Sequence, residues 1–473
     1  MKLSLNFCSR REALLGSAYS LGGLALASVL QDDGVLIAGD SSSNGMPGPH
    51  FAPKAKRVIQ IFAGGGPSHV DTFDPKPALA ENDDQLVKDV DPDYHKNLPE
   101  IASGMGRLSG KFFGSPFRFK RHGKSGLEIS ELFPELSRHA DDLCIIRSMQ
   151  TTSSVHELAQ TMTFTGSFAF VRPSIGSWTV YGLGSGNRNL PSFVSMGGGG
   201  RSSANVFLPA HTAGTRLNAS PGGSADKMLN HLRSQTTSLA GQRRQLDLLQ
   251  TLNAAHMEER PGDGWLKGRV EAFETAFRMQ VEASEAFDIA RESRPIRKMY
   301  GDTDQGNKLL LARRLSERGV RYVQVMHNGW DTHEDNDNRH RKLCSEADQP
   351  LAALLQDLKQ RDLLKDTLVI WGGEFGRTPT TDINGVRKIR GRDHNAGGYS
   401  IWMAGGGVKG GHVHGATDRY GAVATEGKME IHDLHATVLG LLGLDHEKLT
   451  FRHASRDYRL TDVHGRVFKE IFA

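Results

Sequence analysis

The sequence predicts an α/β fold built on a mostly parallel sheet covered on both faces, and two observations predict it. First, short β-branched runs recur along the chain and lead into loops. They are Arg57-Val58-Ile59-Gln60-Ile61-Phe62-Ala63, which runs into Gly64-Gly65-Gly66-Pro67, then Leu143-Cys144-Ile145-Ile146, Val320-Arg321-Tyr322-Val323-Gln324-Val325-Met326 and Thr367-Leu368-Val369-Ile370-Trp371. Second, helical patterns over residues 308–318 and 351–361 precede the last two runs, so helix and strand alternate. A late strand over residues 399–404 leads to another glycine-rich turn. Between about 224 and 297 the chain is rich in Gln, Arg, Glu and Ala and poor in β-branched residues, which predicts a helical insertion with a solvated charged face. No internal repeat is evident.

A chain of 473 residues accommodates one large domain or two smaller ones. With 38% hydrophobic residues, 54 Gly and 18 Pro it reads as globular and turn-rich rather than disordered. The formal net charge is +4 and no long basic block is present, so nucleic acid is excluded as a partner. Three cysteines occur. Cys8 lies in a segment expected to be removed, and Cys144 with Cys344 can form at most one disulfide and make no zinc-binding spacing. Any metal must therefore be held by oxygen and imidazole ligands.

Ser9-Arg10-Arg11-Glu12-Ala13-Leu14-Leu15 opens an apolar run over residues 14–27 that is diluted by Gly16, Gly22 and Gly23, and Ala25-Leu26-Ala27 fits a signal-peptidase site. The order resembles a twin-arginine export signal. The expected organisation is a signal peptide over 1–30, a Gly/Ser/Pro-rich linker over 31–56 and one domain over 57–473 carrying the insertion at 224–297. The twin-arginine translocase is then a partner during export. No later stretch reaches the roughly 20 apolar residues of a spanning helix, so the mature protein is expected in the periplasm or outside the cell with no stable membrane span.

In open α/β sheets ligands bind beyond the carboxyl ends of the strands. There the first run delivers Ser68-His69-Val70-Asp71-Thr72-Phe73-Asp74, the Val320 run Gly329-Trp330-Asp331-Thr332-His333, and the Thr367 run Gly372-Gly373-Glu374-Phe375-Gly376-Arg377. Gly391-Arg392-Asp393-His394-Asn395 precedes the last strand. Carboxylates with imidazoles suit Zn, Mn or Fe, and carboxylate-rich sites also take Mg or Ca. Gathered without a cation, the carboxylates would raise one another's pKa. Each residue has a plainer reading as well. Asp71 or Asp74 can cap a turn, His69 can be a hydrogen-bonded loop histidine, Glu374 with Arg377 can form an ion pair, and Asp393 with His394 can lie in a surface loop. Their common position at strand ends favours a shared site. For His412, His414, His432 and His435 the plainer reading is preferred: Asp433 is expected to be an N-cap, and Leu434, Val438, Leu441 and Leu442 the buried stripe of a short helix.

Taken in order, Gly65-Gly66-Pro67-Ser68-His69-Val70-Asp71-Thr72-Phe73-Asp74, Arg172-Pro173-Ser174-Ile175-Gly176-Ser177-Trp178, Gly329-Trp330-Asp331-Thr332-His333, Gly373-Glu374-Phe375-Gly376-Arg377-Thr378-Pro379 and Asp393-His394 closely resemble an exported bacterial family known as domain of unknown function 1501. That family resembles a branch of the alkaline phosphatase and sulfatase superfamily, which implies an α/β/α sandwich and a site for one or two metals. Asp433-Leu434-His435-Ala436-Thr437-Val438-Leu439 is similar to the late Asp-Leu-x-x-Thr helix of sulfatases, and Ala404-Gly405-Gly406-Gly407-Val408 to the glycine turn before it. The resemblance implies Asp71 as the first-strand ligand, Asp331 and His333 as the mid-chain pair, Glu374 in place of an Asp-His, and His394 as the late histidine. His69 and Asp393, at the same strand ends, complete the candidate metal ligands. The sulfatase nucleophile motif is missing: counting back from Thr165-Gly166 reaches His156. Thr151, Thr152, Ser153 and Ser154 lie just upstream, at an expected helix N-terminus that favours an anionic oxygen, although Ser and Thr are also ordinary caps.

The leading expectation is a metal-dependent hydrolase of a small-molecule or polysaccharide phosphate or sulfate ester. His156 or Ser154 would attack or position the attacker, and Arg377 would bind substrate oxyanions. A second is a non-catalytic exported protein that keeps the fold and a metal while binding a partner or polysaccharide. A third, a nucleotide-binding oxidoreductase, ranks last because Gly64-Gly65-Gly66-Pro67 lacks the dinucleotide-binding spacing.

Overall fold

The computed structural model describes residues 47–98, 110–217, 228, 236–259, 264–381 and 390–473. The signal peptide expected over 1–30 and most of the linker expected over 31–56 lie outside the described residues, as does part of the insertion expected over 224–297. The first half of the fold contains β1 (Arg57–Gly64), α1 (His69–Thr72), β2 (Leu143–Gln150), α2 (His156–Thr165), α3 (Ile175–Leu183), β3 (Phe193–Met196) and β4 (Thr215–Leu217). Then come α4 (Leu239–Glu259), α5 (Gly264–Ala286), α6 (Arg294–Tyr300), α7 (Asp304–Glu317), β5 (Tyr322–Asn328) and α8 (Asn336–Gln360). The last part holds β6 (Thr367–Gly372), β7 (Gly376–Thr381), β8 (Arg392–Asn395), β9 (Tyr399–Ala404), β10 (His412–His414), β11 (Met429–Glu430) and α9 (Ile431–Leu441).

The central sheet runs β10-β2-β9-β6-β1-β5-β3-β4, with β11 also on β2. β1 sits between β5 and β6 and pairs with both in parallel. Its run is apolar on both faces because both are covered: Ile59, Ile61 and Ala63 join a core with Leu309, Leu315, Leu351 and Leu355 of α7 and α8, while Val58 joins one with Trp178 of α3 and Val438 of α9. The polar exceptions satisfy one another. Tyr322 Oη and Gln324 Nε2 donate to Gln60 Oε1 at 2.8 and 3.1 Å, and Ser195 Oγ donates to Gln324 Oε1 at 3.0 Å. This buried seam crosses β1, β5 and β3 and helps specify their register.

The fold is α/β with a mostly parallel sheet, and β9 is the exception: it is antiparallel to both β2 and β6. The reason is its connection. After β6 the chain makes the antiparallel pair β7 and β8 above the carboxyl edge and re-enters the sheet without a crossover helix, so it runs back the other way. Residues within the stretch expected as linker pack on the domain. Lys54 and Ala55 donate their N–H groups to Leu441 O at 2.9 Å, and Ala55 is buried. The expected N-cap of α9 shifts as well: Glu430 is the N-cap and Asp433 sits three residues in, the two forming a capping box. Leu434, Val438, Leu441 and Leu442 are buried as expected. His414, His432 and His435 bond backbone carbonyls of Gly427, Gly166 and Thr163. Among the described residues no helix is long and apolar enough to cross a membrane.

On the helical face opposite α9, a buried charge network ties α6, α7 and α8 together. Arg313 contacts Asp357 Oδ2 at 2.7 Å, Glu317 Oε2 at 2.7 Å and Glu292 Oε1 at 2.8 Å, and Tyr300 Oη donates to Asp357 at 3.1 Å. Arg313→Met leaves Asp357 buried beside fewer cations and is expected to cost about 3–5 kcal/mol in urea unfolding. An unchanged midpoint and slope would show that the network adds nothing to stability.

Candidate metal centre

Three chain segments meet beyond the carboxyl ends of β2 and β5. Asp331 and His333 follow β5, His156 is the first residue of α2 after β2, and His394 lies in β8. Their contacting atoms crowd one point. From Asp331 Oδ1, His333 Nε2 is 3.0 Å away, His394 Nε2 3.1 Å and His156 Nε2 3.3 Å, and the Nε2 atoms of His333 and His394 are 2.9 Å apart. The side chains of Asp331 and His333 are 44% and 37% exposed, so the point opens to solvent on their side, while His394 at 14% forms its inner wall.

The outward nitrogens fix the tautomers. His156 Nδ1 is 2.7 Å from Glu374 Oε1, and His394 Nδ1 is 2.8 Å from the Ser154 carbonyl oxygen. Both partners only accept, so each Nδ1 carries the proton and each neutral ring turns the Nε2 lone pair inward. Two lone pairs then face a carboxylate oxygen, which is repulsive unless a proton or a cation lies between. Burial opposes protonation of His156, but Asp331 and Glu374 outweigh it and push its pKa up to about 9. Burial likewise opposes the Asp331 charge, yet His156, His333, His394 and Arg377 hold its carboxyl well below the usual range. A divalent metal resolves the same conflict without a proton. Ligand atoms about 2.0–2.1 Å from a tetrahedral ion lie about 3.3 Å apart, close to the separations here. The donor set therefore fits a metal, and two groups could hold one: His156 with Asp331 and His394, and His333 with Asp393 and His394.

Surrounding residues aim these ligands. Glu374 is fully buried and accepts from His156, from Gln160 Nε2 at 2.9 Å and from Gly65 N at 3.1 Å. Gln160 stands four residues after His156 on the same face of α2. Phe375 lies beneath the rings of His156 and His394, with centroids 4.8 and 4.6 Å away. Gly65 adopts φ +116°, and a Cβ there would come within 2.5 Å of Asp331 N, so only glycine lets the β1 loop approach the β5 loop so closely. A Cβ on Gly391 would lie 2.1 Å from the His333 backbone, so that glycine brings the β8 strand to the same point.

The candidate residues thus divide. His333, His394, Asp331 and Asp393 gather at the centre, Asp393 at its edge with Oδ1 3.8 Å from His333 Nδ1. His156 joins them, with Nδ1 held 2.7 Å from Glu374 and Nε2 facing Asp331 Oδ1 at 3.3 Å. Glu374 orients His156 rather than facing the centre. Ser154 contributes its backbone carbonyl. Arg377, expected to face substrate, is instead turned inward: it is fully buried, donating to the carbonyls of Gly65, Gly66, Trp330 and Arg392 and to Asp331 Oδ1 at 2.6 Å. His69 is buried elsewhere, with Nε2 2.7 Å from Gly421 O. Asp71 also lies outside the cluster, its oxygens receiving Arg392 Nε at 2.8 Å, Arg392 Nη2 at 3.0 Å, Ser68 Oγ at 2.6 Å and Asn336 Nδ2 at 3.0 Å. Sequence reasoning missed Gln160, Phe375 and Arg392. The first has a legible signal in its helical spacing from His156.

The family model described as protein of unknown function (DUF1501) matches residues 55–472. No curated protein matches the chain. Among solved structures, the PsFucS1 sulfatase from Pseudoalteromonas sp. is similar at 12% identity and TM-score 0.35, over 90% of this chain and 72% of that one. A protein in the alkaline phosphatase superfamily from Vibrio parahaemolyticus is similar at 10% and 0.32, over 91% and 78%. The lipoteichoic acid synthase LtaP from Listeria monocytogenes is similar at 11% and 0.32, over 88% and 78%.

The Asp71–Arg392 pair has a pH signature. Burial opposes the Asp71 charge, but Arg392, His340 and Ser68 outweigh it and hold its carboxyl well below the ordinary range. A depressed folded pKa means stabilisation that is complete above about pH 4 and lost as pH falls through the lower folded value. Asp71→Asn is expected to lower stability at pH 7 by about 3 kcal/mol or more and to flatten the acid limb of a stability-versus-pH curve. An acid limb as steep as that of the parent chain would contradict this.

Proposed function

The chain belongs to the DUF1501 family, and for this member we propose a divalent-metal-dependent hydrolase of phosphate or sulfate esters that acts outside the cytoplasm. The observation that carries the reading is the meeting of three imidazole nitrogens and one carboxylate oxygen at a solvent-open point beyond the strand ends. Three imidazoles favour Zn, Mn or Fe over Mg or Ca. When bound, such an ion polarises an ester oxygen and lowers the pKa of a water beside it.

The chain's own residues do the rest. His394 is shared by the two groups that would hold the ion, His156 with Asp331 and His333 with Asp393. Glu374 keeps the proton on His156 Nδ1 and so keeps Nε2 available to the centre. Arg377 keeps Asp331 ionised and fixed. Phe375 excludes water from beneath the rings. With His156 Nε2 given to the ion, a water beside it is the proposed attacking group. Export by the twin-arginine route rests on the Arg10-Arg11 segment and its apolar run, and the ester could be carried by a small molecule or a polysaccharide.

A second reading, a metal-binding protein without turnover, is favoured by the burial of Arg377, whose guanidinium is spent on backbone carbonyls and Asp331. Metal analysis of the purified mature protein, with aryl phosphate and aryl sulfate as substrates, separates the two. The hydrolase reading expects bound metal and turnover that chelation abolishes and added metal restores. Metal without turnover across a range of esters favours the second reading. Under either, His394→Ala and His333→Ala are expected to lose the metal, and Glu374→Gln to weaken metal affinity by about 10–100-fold. Full metal content in the His156→Ala, His394→Ala double variant would contradict both.

A further inference from the structure

α4 is an outlying helix whose inner face packs on α5 through Leu246 and Phe273, with Leu249 and Phe277 beside them. Arg243 and Gln242 tie the pair further: Arg243 Nη2 reaches Glu274 at 2.8 Å, and Gln280 Nε2 donates to Gln242 at 2.7 Å. The opposite face is built differently from a solvated one. Leu248 and Leu252 are 64% and 52% exposed and stand one turn apart. The residues that continue their stripe at spacings of four and three are Arg244, Ala255 and Glu259, all exposed. The stripe therefore reads Arg244, Leu248, Leu252, Ala255, Glu259, basic at one end, apolar in the middle and acidic at the other.

We propose that this stripe is a homodimer interface in which the α4 helices of two copies pack antiparallel about a two-fold axis near Leu252. The order of the five residues is what selects that partner and that orientation. Laid antiparallel, Arg244 of one copy faces Glu259 of the other at both ends, Leu248 meets Ala255, and the two Leu252 side chains meet at the axis, so a single stripe complements itself as an isologous contact requires. Laid parallel, arginine would face arginine and glutamate would face glutamate. The stripe covers 16 residues, about 22 Å of helix from its first Cα to its last. One helix pair buries less than the roughly 1,200–2,000 Å² of a standard stable interface, so the dimer is weak and concentration-dependent. The inference is independent of the metal centre and stands or falls without it.

Sedimentation analysis of the full chain from about 1 to about 100 µM tests it, a range that brackets micromolar dissociation constants. The parent chain is expected to show a reversible monomer–dimer equilibrium. Leu252→Glu is expected to be monomeric throughout while keeping the parent's circular dichroism, since the position is exposed. Arg244→Glu is expected to weaken association about tenfold or more, and the Arg244→Glu, Glu259→Arg double variant to recover it by restoring opposite charges in the antiparallel register. A chain that stays monomeric at every concentration overturns the proposal, as does a dimer that Leu252→Glu leaves intact. Failure of the double variant to recover association overturns the antiparallel arrangement.

Discussion

One carboxylate oxygen, Asp331 Oδ1, lies against three imidazole nitrogens and the Nη2 of a buried guanidinium, and the carboxyl edge of the sheet is organised to keep it there. Such crowding is tolerable only if positive charge is present. Arg377 supplies part of it from below. Its other donors are consumed by carbonyls of the β1 and β5 loops and of β8, so it also fixes the loops that carry the ligands. Because the outer nitrogens of His156 and His394 donate to a carboxylate and a carbonyl, the remaining positive charge must come from the solvent side, as a proton on His156 or as a metal ion.

The scaffold makes this convergence possible by close approach. Gly65 lets the β1 loop lie against the backbone of Asp331, Gly391 lets β8 lie against His333, and the motif Gly373-Glu374-Phe375-Gly376-Arg377 serves three jobs in five residues: orienting His156, flooring the rings and anchoring the loops. The Asp71–Arg392 pair performs a similar task without touching the centre. It joins α1 to β8 through a bidentate contact in a fully buried setting, and the guanidinium lies 4.3 Å from the Phe113 ring centroid. Isolated, either charge would be costly to bury, so the pair specifies how the two segments dock.

Much of this was legible in the residues. The central strands announced themselves because a run buried on both faces must be apolar throughout, and the candidate ligands could be found because α/β sheets gather function at strand ends. What was not legible depended on partners distant in the chain. Asp71 and Asp331 look alike in sequence, each following a strand and a glycine, and what separates them is Arg392, which lies 321 positions from Asp71 and reaches it only after β8 folds over the edge. Arg377 read as a substrate-binding group for the same reason, since nothing local reveals that backbone carbonyls saturate its guanidinium. The reversed direction of β9 was hidden because strand patterns carry no polarity, and only the absence of a crossover helix after β8 would have signalled it.

The most direct test of a shared cation is anomalous diffraction from crystals of the protein grown with a transition metal such as zinc, recorded on both sides of its absorption edge. The arrangement of His156, Asp331, His333 and His394 predicts an anomalous peak among their four contacting atoms, about 2.0–2.2 Å from each ligand that binds. A crystal with these side chains ordered and no peak among them, or with the metal held elsewhere on the molecule, would contradict the account.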